Sequence, residues 1–244
     1  MIGSFITDVY RREQFFPSFM GLLVNPFYMA RKGLMIGLTP QLSQLSGKLL
    51  DVGCGKKPYK KLCTGVSEYI GLEIDTPVNR DKKQADYFYD GKSFPFLSDQ
   101  FDSIFTSQVL EHVFNPKEFL SEINRVLKTN GKIVVTVPFV WDEHEQPYDF
   151  ARYSSFGLKS LLEEHGFEII DHKKSGTGFE TIAQLLNAYI YKVSVRHSKL
   201  LMAIFQLTLM APINCIGLIL SKILPRNEDL YLDNIILAEK VRNV

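Results

Sequence analysis

The chain has 244 residues, which is enough for one large α/β domain and only marginally enough for two. Apolar residues make up 45% of the chain and charged residues 23%, as is usual for a globular protein. The net charge of +1, from 28 basic and 27 acidic residues, argues against a nucleic-acid partner, because surfaces that bind phosphate backbones usually carry a basic excess.

In chain order, the first 46 residues are predicted to be helical, with breaks at Pro17, Pro26 and Pro40. They contain no apolar run leading to a small-residue cleavage site, so we expect no secretion signal. From residue 48 onward, short apolar runs alternate with amphipathic stretches, of which 116–128 is the clearest helix. The predicted strands are 48–52, 68–73, 101–106, 131–138, 166–171 and 230–240.

Strands that alternate with helices predict a doubly wound α/β fold, with a mostly parallel sheet covered on both faces. We expect an N-terminal helical segment at 1–46, a core formed by 47–175 and 229–244, and a helical insertion at 176–228. The three cysteines include no CxxC pair, and no histidine lies at ligand spacing from any of them. The pattern therefore predicts no disulfide and no metal site, and a cytoplasmic location fits.

The first predicted strand runs into the turn Asp51-Val52-Gly53-Cys54-Gly55. Glycine permits backbone angles that are closed to other residues and lets a ligand approach the main chain closely. A dinucleotide-binding fingerprint needs another glycine three residues after Gly55, where Pro58 stands. The turn therefore disfavours a nicotinamide-dependent dehydrogenase.

Further motifs follow this turn at ordered spacing. With 51–55 they are 69–73, Asp90 ahead of 94–96, 101–102, 109–113 and 127–131. Together these motifs resemble the class I S-adenosylmethionine methyltransferases, and most closely the group that methylates metabolites, quinones and sugars. The resemblance implies that S-adenosylmethionine is the cofactor and that the seven-stranded sheet has an antiparallel last strand.

The resemblance also implies roles for individual acidic residues. Glu73 ends the second strand, where a carboxylate can accept hydrogen bonds from both ribose hydroxyls, and Asp75 is the alternative. Asp51 is expected near the methionine ammonium group of the cofactor. Asp90, or Asp86 in its place, is expected to accept from the adenine amino group. The full predicted cofactor set is Asp51, Gly53, Cys54, Gly55, Glu73, Ile74, Tyr89, Asp90, Gly91, Ser107 and Gln108.

The segment 139–153 follows the fifth predicted strand, at the sheet edge where ligands of open α/β sheets bind. Its aromatic rings suit stacking against a sugar face or a quinone. Arg152 is expected either to hold an acidic acceptor or to close the loop on Asp149. The predicted acceptor residues are Trp141, Tyr148, Arg152 and Tyr153.

His144 is a candidate general base, because imidazole titrates near neutral pH. The acidic residues around it would favour its charged form, so Asp142 or Glu143 as the base also stays open. A third possibility is that no protein base acts and that the loop is only a polar lid. For His112, beside Glu111, the resemblance implies a structural role in anchoring a loop.

The segment 144–153 also resembles methyltransferases of polysaccharide and lipid-linked glycan synthesis. That resemblance implies O-methylation of a saccharide hydroxyl. The alternatives are methylation of a quinone or other small aromatic metabolite, and a non-catalytic cofactor-binding or scaffold protein. The expected partner is a small-molecule or lipid-linked acceptor.

Residues 200–221 carry no charge, and Pro212 and Asn214 are expected to break this run into two arms. Each arm is too short to cross a hydrocarbon core of about 30 Å. The sequence therefore predicts a helical hairpin that lies on a membrane surface, joins two subunits as a homodimer, or caps its own chain. The flanking residues Arg196, Lys199, Lys222 and Arg226 suit anionic headgroups, so the chain is expected to be cytoplasmic and possibly membrane-associated.

Overall fold

The computed structural model describes residues 12–82 and 84–244. The first eleven residues of the predicted N-terminal helical segment lie outside the described residues. The chain forms two compact units. The first comprises Lys174–Asp233 together with the residues up to Gly37, and the second comprises Leu38–Lys173 and Asn234–Val244.

Seven strands form one sheet. They are β1 (Ser46–Val52), β2 (Gly65–Ile74), β3 (Tyr87–Tyr89), β4 (Phe101–Ser107), β5 (Leu127–Pro138), β6 (Phe167–Ser175) and β7 (Asp233–Lys240). Their order is β3-β2-β1-β4-β5-β7-β6. The pairs from β3 to β5 are parallel, whereas β7 and β6 are antiparallel. The predicted doubly wound α/β fold is therefore confirmed.

The helices are α1 (Gly21–Val24), α2 (Tyr28–Leu42), α3 (Pro77–Lys82), α4 (Pro116–Val126), α5 (Ser155–Glu164), α6 (Phe179–His197), α7 (Lys199–Phe205) and α8 (Ala211–Ile223). Two 3₁₀ turns, Lys60–Leu62 and Leu110–His112, and a π turn at Gln206–Met210 are also present, and residues 12–15 are helical. Strands β1, β4 and β5 lie at the centre of the sheet, and Leu50, Ile104 and Ile133 are fully buried there. Successive residues of these strands are buried without alternation, as expected for strands that are covered on both faces.

Several element boundaries differ from the sequence prediction, and the predicted break at Pro40 was wrong, because Pro40 lies inside α2. The helix predicted at 116–128 ends at Val126, because Leu127 adopts extended angles and pairs with Phe101 of β4. Strand β3 was not predicted at all. It has only three residues, which is too short for an alternating pattern to be recognised.

The predicted break within 200–221 was wrong, because Leu200–Ile223 forms one continuous helix. Within it, the N–H of Ala211 donates to the carbonyl oxygen of Gln206, five residues back. This wider turn comes just before Pro212, which lies in the first turn of α8, where its missing N–H is tolerated. Among the described residues this is the one helix long and apolar enough to cross a membrane, and 28% of its most apolar window is buried.

Candidate active site

All predicted site residues lie in the second unit, at the carboxyl ends of β1, β2, β3, β4 and β5. Asp51, near the end of β1, is buried, and its carboxylate accepts a hydrogen bond from the hydroxyl of Tyr69 at 2.5 Å. Burial raises the pKa of Asp51 to about 7. The Tyr69 hydrogen bond opposes this rise in pKa, whereas the negative charge of Glu73 adds to it. A cation bound nearby would therefore favour the ionised form of Asp51.

The two glycines of the β1 turn have different surroundings. Both have positive φ angles, +73° at Gly53 and +48° at Gly55. A Cβ atom at Gly53 would lie 2.3 Å from a methyl carbon of Val109, whereas a Cβ at Gly55 would meet nothing within 4 Å. Gly53 is therefore required for packing inside the protein, and Gly55 borders open space that a ligand could occupy. The thiol of Cys54 is buried and lies beside Gly71 of β2.

Glu73, one residue before the end of β2, lies beside this turn. Its Oε2 atom accepts a hydrogen bond from the backbone N–H of Gly55 at 2.9 Å, which aligns the carboxylate with the open space. The following residue, Ile74, is 43% exposed. Asp75, the alternative ribose ligand, is engaged elsewhere by a two-pronged ion pair with Arg80.

The predicted adenine side is built by the loop after β3. Asp90 is exposed and accepts from the backbone N–H groups of Lys92 and Ser93 through one oxygen, Oδ1. These hydrogen bonds hold the pKa of Asp90 below its ordinary value. Gly91, in this loop, has a φ of +85° and approaches Ile74. Asp86, the competing residue, instead accepts from the backbone N–H of Gly71 and pairs with Lys57, and Tyr89 packs edge-on against Phe94.

Ser107 and Gln108 end β4 beside β5. The Ser107 hydroxyl lies 2.8 Å from the hydroxyl of Thr136, and the Gln108 amide donates to the same oxygen. Gln108 has a φ of +58°, which is uncommon for a residue other than glycine. The chain therefore turns sharply at this edge and leads directly into the 3₁₀ turn 110–112.

The loop 139–153 is fastened to that 3₁₀ turn. The carbonyl oxygen of Glu111 accepts hydrogen bonds from the backbone N–H groups of Phe150 and Ala151. The ring atom Nδ1 of His112 lies 2.6 Å from the carbonyl oxygen of Tyr148. Since a carbonyl can only accept, His112 donates here. The structure thus has His112 anchoring a loop, in the manner that the family resemblance implied.

Within the loop, Arg152 pairs with Asp149 through two parallel hydrogen bonds of 2.5 and 2.6 Å. The guanidinium also donates to the carbonyl oxygens of Trp141 and Asp142. Of the two roles open to Arg152, the structure shows the contact that closes the loop on Asp149. The Arg152 hydrogen bonds lower the pKa of Asp149 to about 2.

His144 is about one-quarter exposed, and its Nδ1 atom lies 3.3 Å from both the Asp142 carbonyl oxygen and the Asp149 carboxylate. Arg152 Nη2 lies 3.5 Å from the same atom, but its two hydrogens already serve Asp149 and Asp142. Nδ1 therefore carries the imidazole hydrogen, and the lone pair of neutral His144 is on Nε2. The sequence did not identify Asp149 as the residue that orients this ring. The spacing of Asp149 and Arg152 indicated only that these two side chains could pair.

The remaining predicted residues of this region lie in the same loop. Trp141 and Tyr153 are half-buried, and the Tyr153 ring packs against the core. Tyr148 is 65% exposed, and the exposed side chain of Glu143 accepts from Gln146. Sequence reasoning also missed Tyr69, although it begins one of the quoted motifs.

A family model described as a methyltransferase domain matches residues 29–172. A Methanocaldococcus jannaschii protein described as uncharacterized is 31% identical over 150 residues, which cover 56% of this chain and 71% of that protein. Two further curated relatives are 28% identical, and the chain spans 55% and 48% of their lengths.

Two solved structures have a similar fold. A SAM-dependent methyltransferase from Archaeoglobus fulgidus superposes with a TM-score of 0.53 at 19% identity, covering 95% of this chain and 99% of that one. The phosphoethanolamine N-methyltransferase 2 of Haemonchus contortus, crystallised with S-adenosyl-L-methionine, gives a TM-score of 0.56 at 15% identity, covering 95% and 59%. Because the methyltransferase-domain model matches more than half of the chain, and the sheet has the matching architecture, the chain belongs to the class I S-adenosylmethionine-dependent methyltransferases.

Proposed function

We propose that this methyltransferase transfers its methyl group to a hydroxyl of a saccharide or lipid-linked glycan, with His144 as the general base. The observation that carries the proposal is the orientation of His144. Its Nδ1–H faces the Asp142 carbonyl and the Asp149 carboxylate, so that the Nε2 lone pair is left to accept a proton. A base oriented by a carboxylate is the arrangement that activates hydroxyl groups in other enzymes.

The end of β1 fits the cofactor. A Cβ atom added at Gly55 would point into open space, and the Glu73 carboxylate lies beside that space. Asp51 is buried near the same turn and would face the ammonium group of the methionine moiety. Bound S-adenosylmethionine supplies a methyl group already activated on a sulfonium, so the chain has to bind it, orient it and exclude water.

The remaining step for this chain is to remove the acceptor's proton. With cofactor and acceptor bound, Nε2 of His144 would take up the hydroxyl proton as the acceptor oxygen receives the methyl group and the sulfonium leaves as a thioether. Asp149, paired with Arg152, balances the positive charge that then develops on the imidazole ring. Deprotonation of this kind typically contributes a factor of about 10²–10⁴ to the rate.

The aromatic side chains of this region support a saccharide acceptor. Phe114 and Phe150 form an edge-to-face pair with ring centroids 5.3 Å apart, and they are 75% and 44% exposed. Tyr148, in the same loop, is 65% exposed. Exposed rings that are held by a fastened loop can pack against the C–H faces of a sugar ring.

The test is incubation with methyl-labelled cofactor and separated pools of soluble saccharides, lipid-linked glycans and quinones. We expect label in a saccharide-containing product, and His144→Gln should slow its formation about 10²–10⁴-fold while cofactor affinity is unchanged. His197→Gln, which changes an exposed histidine of the first unit, is the matched control. Label found only in quinones, or wild-type turnover by His144→Gln, would overturn the proposal.

We further propose that the helix Leu200–Ile223 lies on a membrane surface, where a lipid-linked acceptor would be found. Much of its apolar surface is exposed, including Leu200 at 73%, Leu207 at 61% and Ile219 at 57%. Basic side chains that suit anionic headgroups are exposed at both of its ends: Arg196, Lys222 and Arg226.

Flotation with anionic liposomes tests this second proposal. We expect the wild-type chain to float. Leu207→Glu should remain in solution, because membrane contact would bury the new charge in the lipid. Leu97→Glu, at a 79% exposed position of the second unit, is the control and should float. A wild-type chain that does not float refutes membrane contact. If light scattering then shows a dimer that Leu207→Glu dissociates, the helix joins subunits instead.

A further inference from the structure

Beside the proposed base, Glu111, His112 and His144 bring three potential metal ligands together. One carboxylate oxygen and one ring nitrogen from each histidine lie within 4.8 Å of one another. His112 Nε2 is 3.8 Å from Glu111 Oε1, and the two imidazole rings are 4.8 Å apart and nearly perpendicular. Glu111 is fully buried, and both histidines are largely buried.

The histidines are oriented as metal-binding histidines usually are. Such residues donate their second ring N–H to a carbonyl or a carboxylate, which fixes the ring and directs the other nitrogen at the ion. Here Nδ1 of His112 donates to the Tyr148 carbonyl, and Nδ1 of His144 faces the Asp142 carbonyl and the Asp149 carboxylate. In each neutral ring the Nε2 lone pair is therefore the one directed away from these partners.

The ligand set also suits a divalent cation, because it combines two imidazole rings with one carboxylate. Arg152, which interacts electrostatically with Glu111, is held by its two-pronged pair with Asp149. Zinc sites use two histidines and one carboxylate with an open fourth position, at bond lengths of about 2.0–2.2 Å. Ligands of a tetrahedral ion are then about 3.4 Å apart, so closing from 4.8 Å needs only side-chain shifts.

We propose that Glu111, His112 and His144 bind a divalent first-row transition ion such as Zn²⁺, with the fourth position open to water or an acceptor oxygen. The two imidazole ligands favour such ions over Mg²⁺ or Ca²⁺. The bound ion would be coordinated by the Nε2 lone pair of His144. If the proposed function holds, metal and proton compete for that lone pair, and the loaded protein methylates its acceptor more slowly.

The test titrates Co²⁺ and Zn²⁺ into the full chain without cofactor or acceptor, with the visible absorption of Co²⁺ and calorimetry as readouts. We expect one equivalent to bind, and His112→Asn to weaken binding about 100-fold or more, since one of three ligands is lost. Asparagine can still donate to the Tyr148 carbonyl, and unchanged cofactor affinity would show that the variant is folded. Glu111→Gln is the second variant, and His197→Asn is the matched control.

Absence of stoichiometric binding, or binding that His112→Asn and Glu111→Gln leave unchanged, would overturn the metal site. These outcomes do not depend on the proposed methyl acceptor, because neither acceptor nor turnover enters the measurement. Loss of the metal with retained O-methylation would in turn leave the proposed function in place.

Discussion

The buried carboxylate of Asp51 gives the structure a stability that depends on pH. The unfolded chain ionises Asp51 near its ordinary pKa of 3.8, whereas burial raises the pKa in the folded state to about 7. Between these pH values the folded state keeps a proton that the unfolded state has lost. The contribution of Asp51 to the free energy of unfolding therefore falls as pH rises from about 4 to about 7, and it is constant above that.

The variant Asp51→Asn removes the loss of stability that accompanies ionisation of the buried carboxyl group, because an amide cannot ionise. A shift of about 3 pKa units corresponds to about 4 kcal/mol, on the scale of 1.36 kcal/mol for each unit. We therefore expect the variant to exceed the wild type in free energy of unfolding by about 4 kcal/mol at pH 8, but by only about 2 kcal/mol at pH 5. Chemical denaturation without cofactor at both pH values measures the difference.

The variant Tyr69→Phe is the matched test in the opposite direction. The Tyr69 hydroxyl stabilises the ionised carboxylate at 2.5 Å, so its removal should destabilise the fold more at pH 8 than at pH 5. A stability difference between Asp51→Asn and the wild type that is the same at both pH values would refute the reasoning. It would mean that Asp51 has the same pKa in both states.

Three further predictions concern the cofactor turn and the acceptor loop. Gly53→Ala should lower the melting temperature markedly because its Cβ has no space. Gly55→Ala should lower it less, since only the left-handed backbone angle opposes the new Cβ, and it should also weaken S-adenosylmethionine binding in calorimetry. Glu73→Gln should weaken cofactor binding by about 1.5–3 kcal/mol, and unchanged affinity in calorimetry would remove Glu73 from the site. Arg152→Lys should lower kcat while sparing cofactor affinity, since lysine cannot form the two-pronged pair with Asp149; an unchanged kcat would show that this pair does not support turnover.

The central sheet could be predicted from sequence because its signals are local. Strands β1, β4 and β5 each contain a short cluster of apolar residues, and β1 and β4 end close to glycine or polar residues that mark the binding edge. The helix Leu200–Ile223 could not be predicted in this way. Asn214 indicated a break, but its side chain is buried and donates to the carbonyl oxygens of Leu22 and Asn25, far away in sequence. Such tertiary partners are invisible to a local pattern.

The acceptor loop shows the same limit at the scale of one side chain. The carboxylates next to His144 in sequence, Asp142 and Glu143, were the obvious candidates to influence its ring. In the structure Asp142 contacts the ring through its backbone carbonyl, and the carboxylate near Nδ1 comes from Asp149. Composition predicts that an acid lies near this histidine, but only the path of the loop decides which one.

The exit of β4 physically connects the two halves of the candidate site. Val109 packs against Gly53 in the cofactor turn, and two residues later the carbonyl of Glu111 holds the backbone of the acceptor loop. His112 then donates to the Tyr148 carbonyl of the same loop. These contacts lie on four consecutive residues. The segment 109–112 therefore contacts both the cofactor turn and the loop that carries the proposed base.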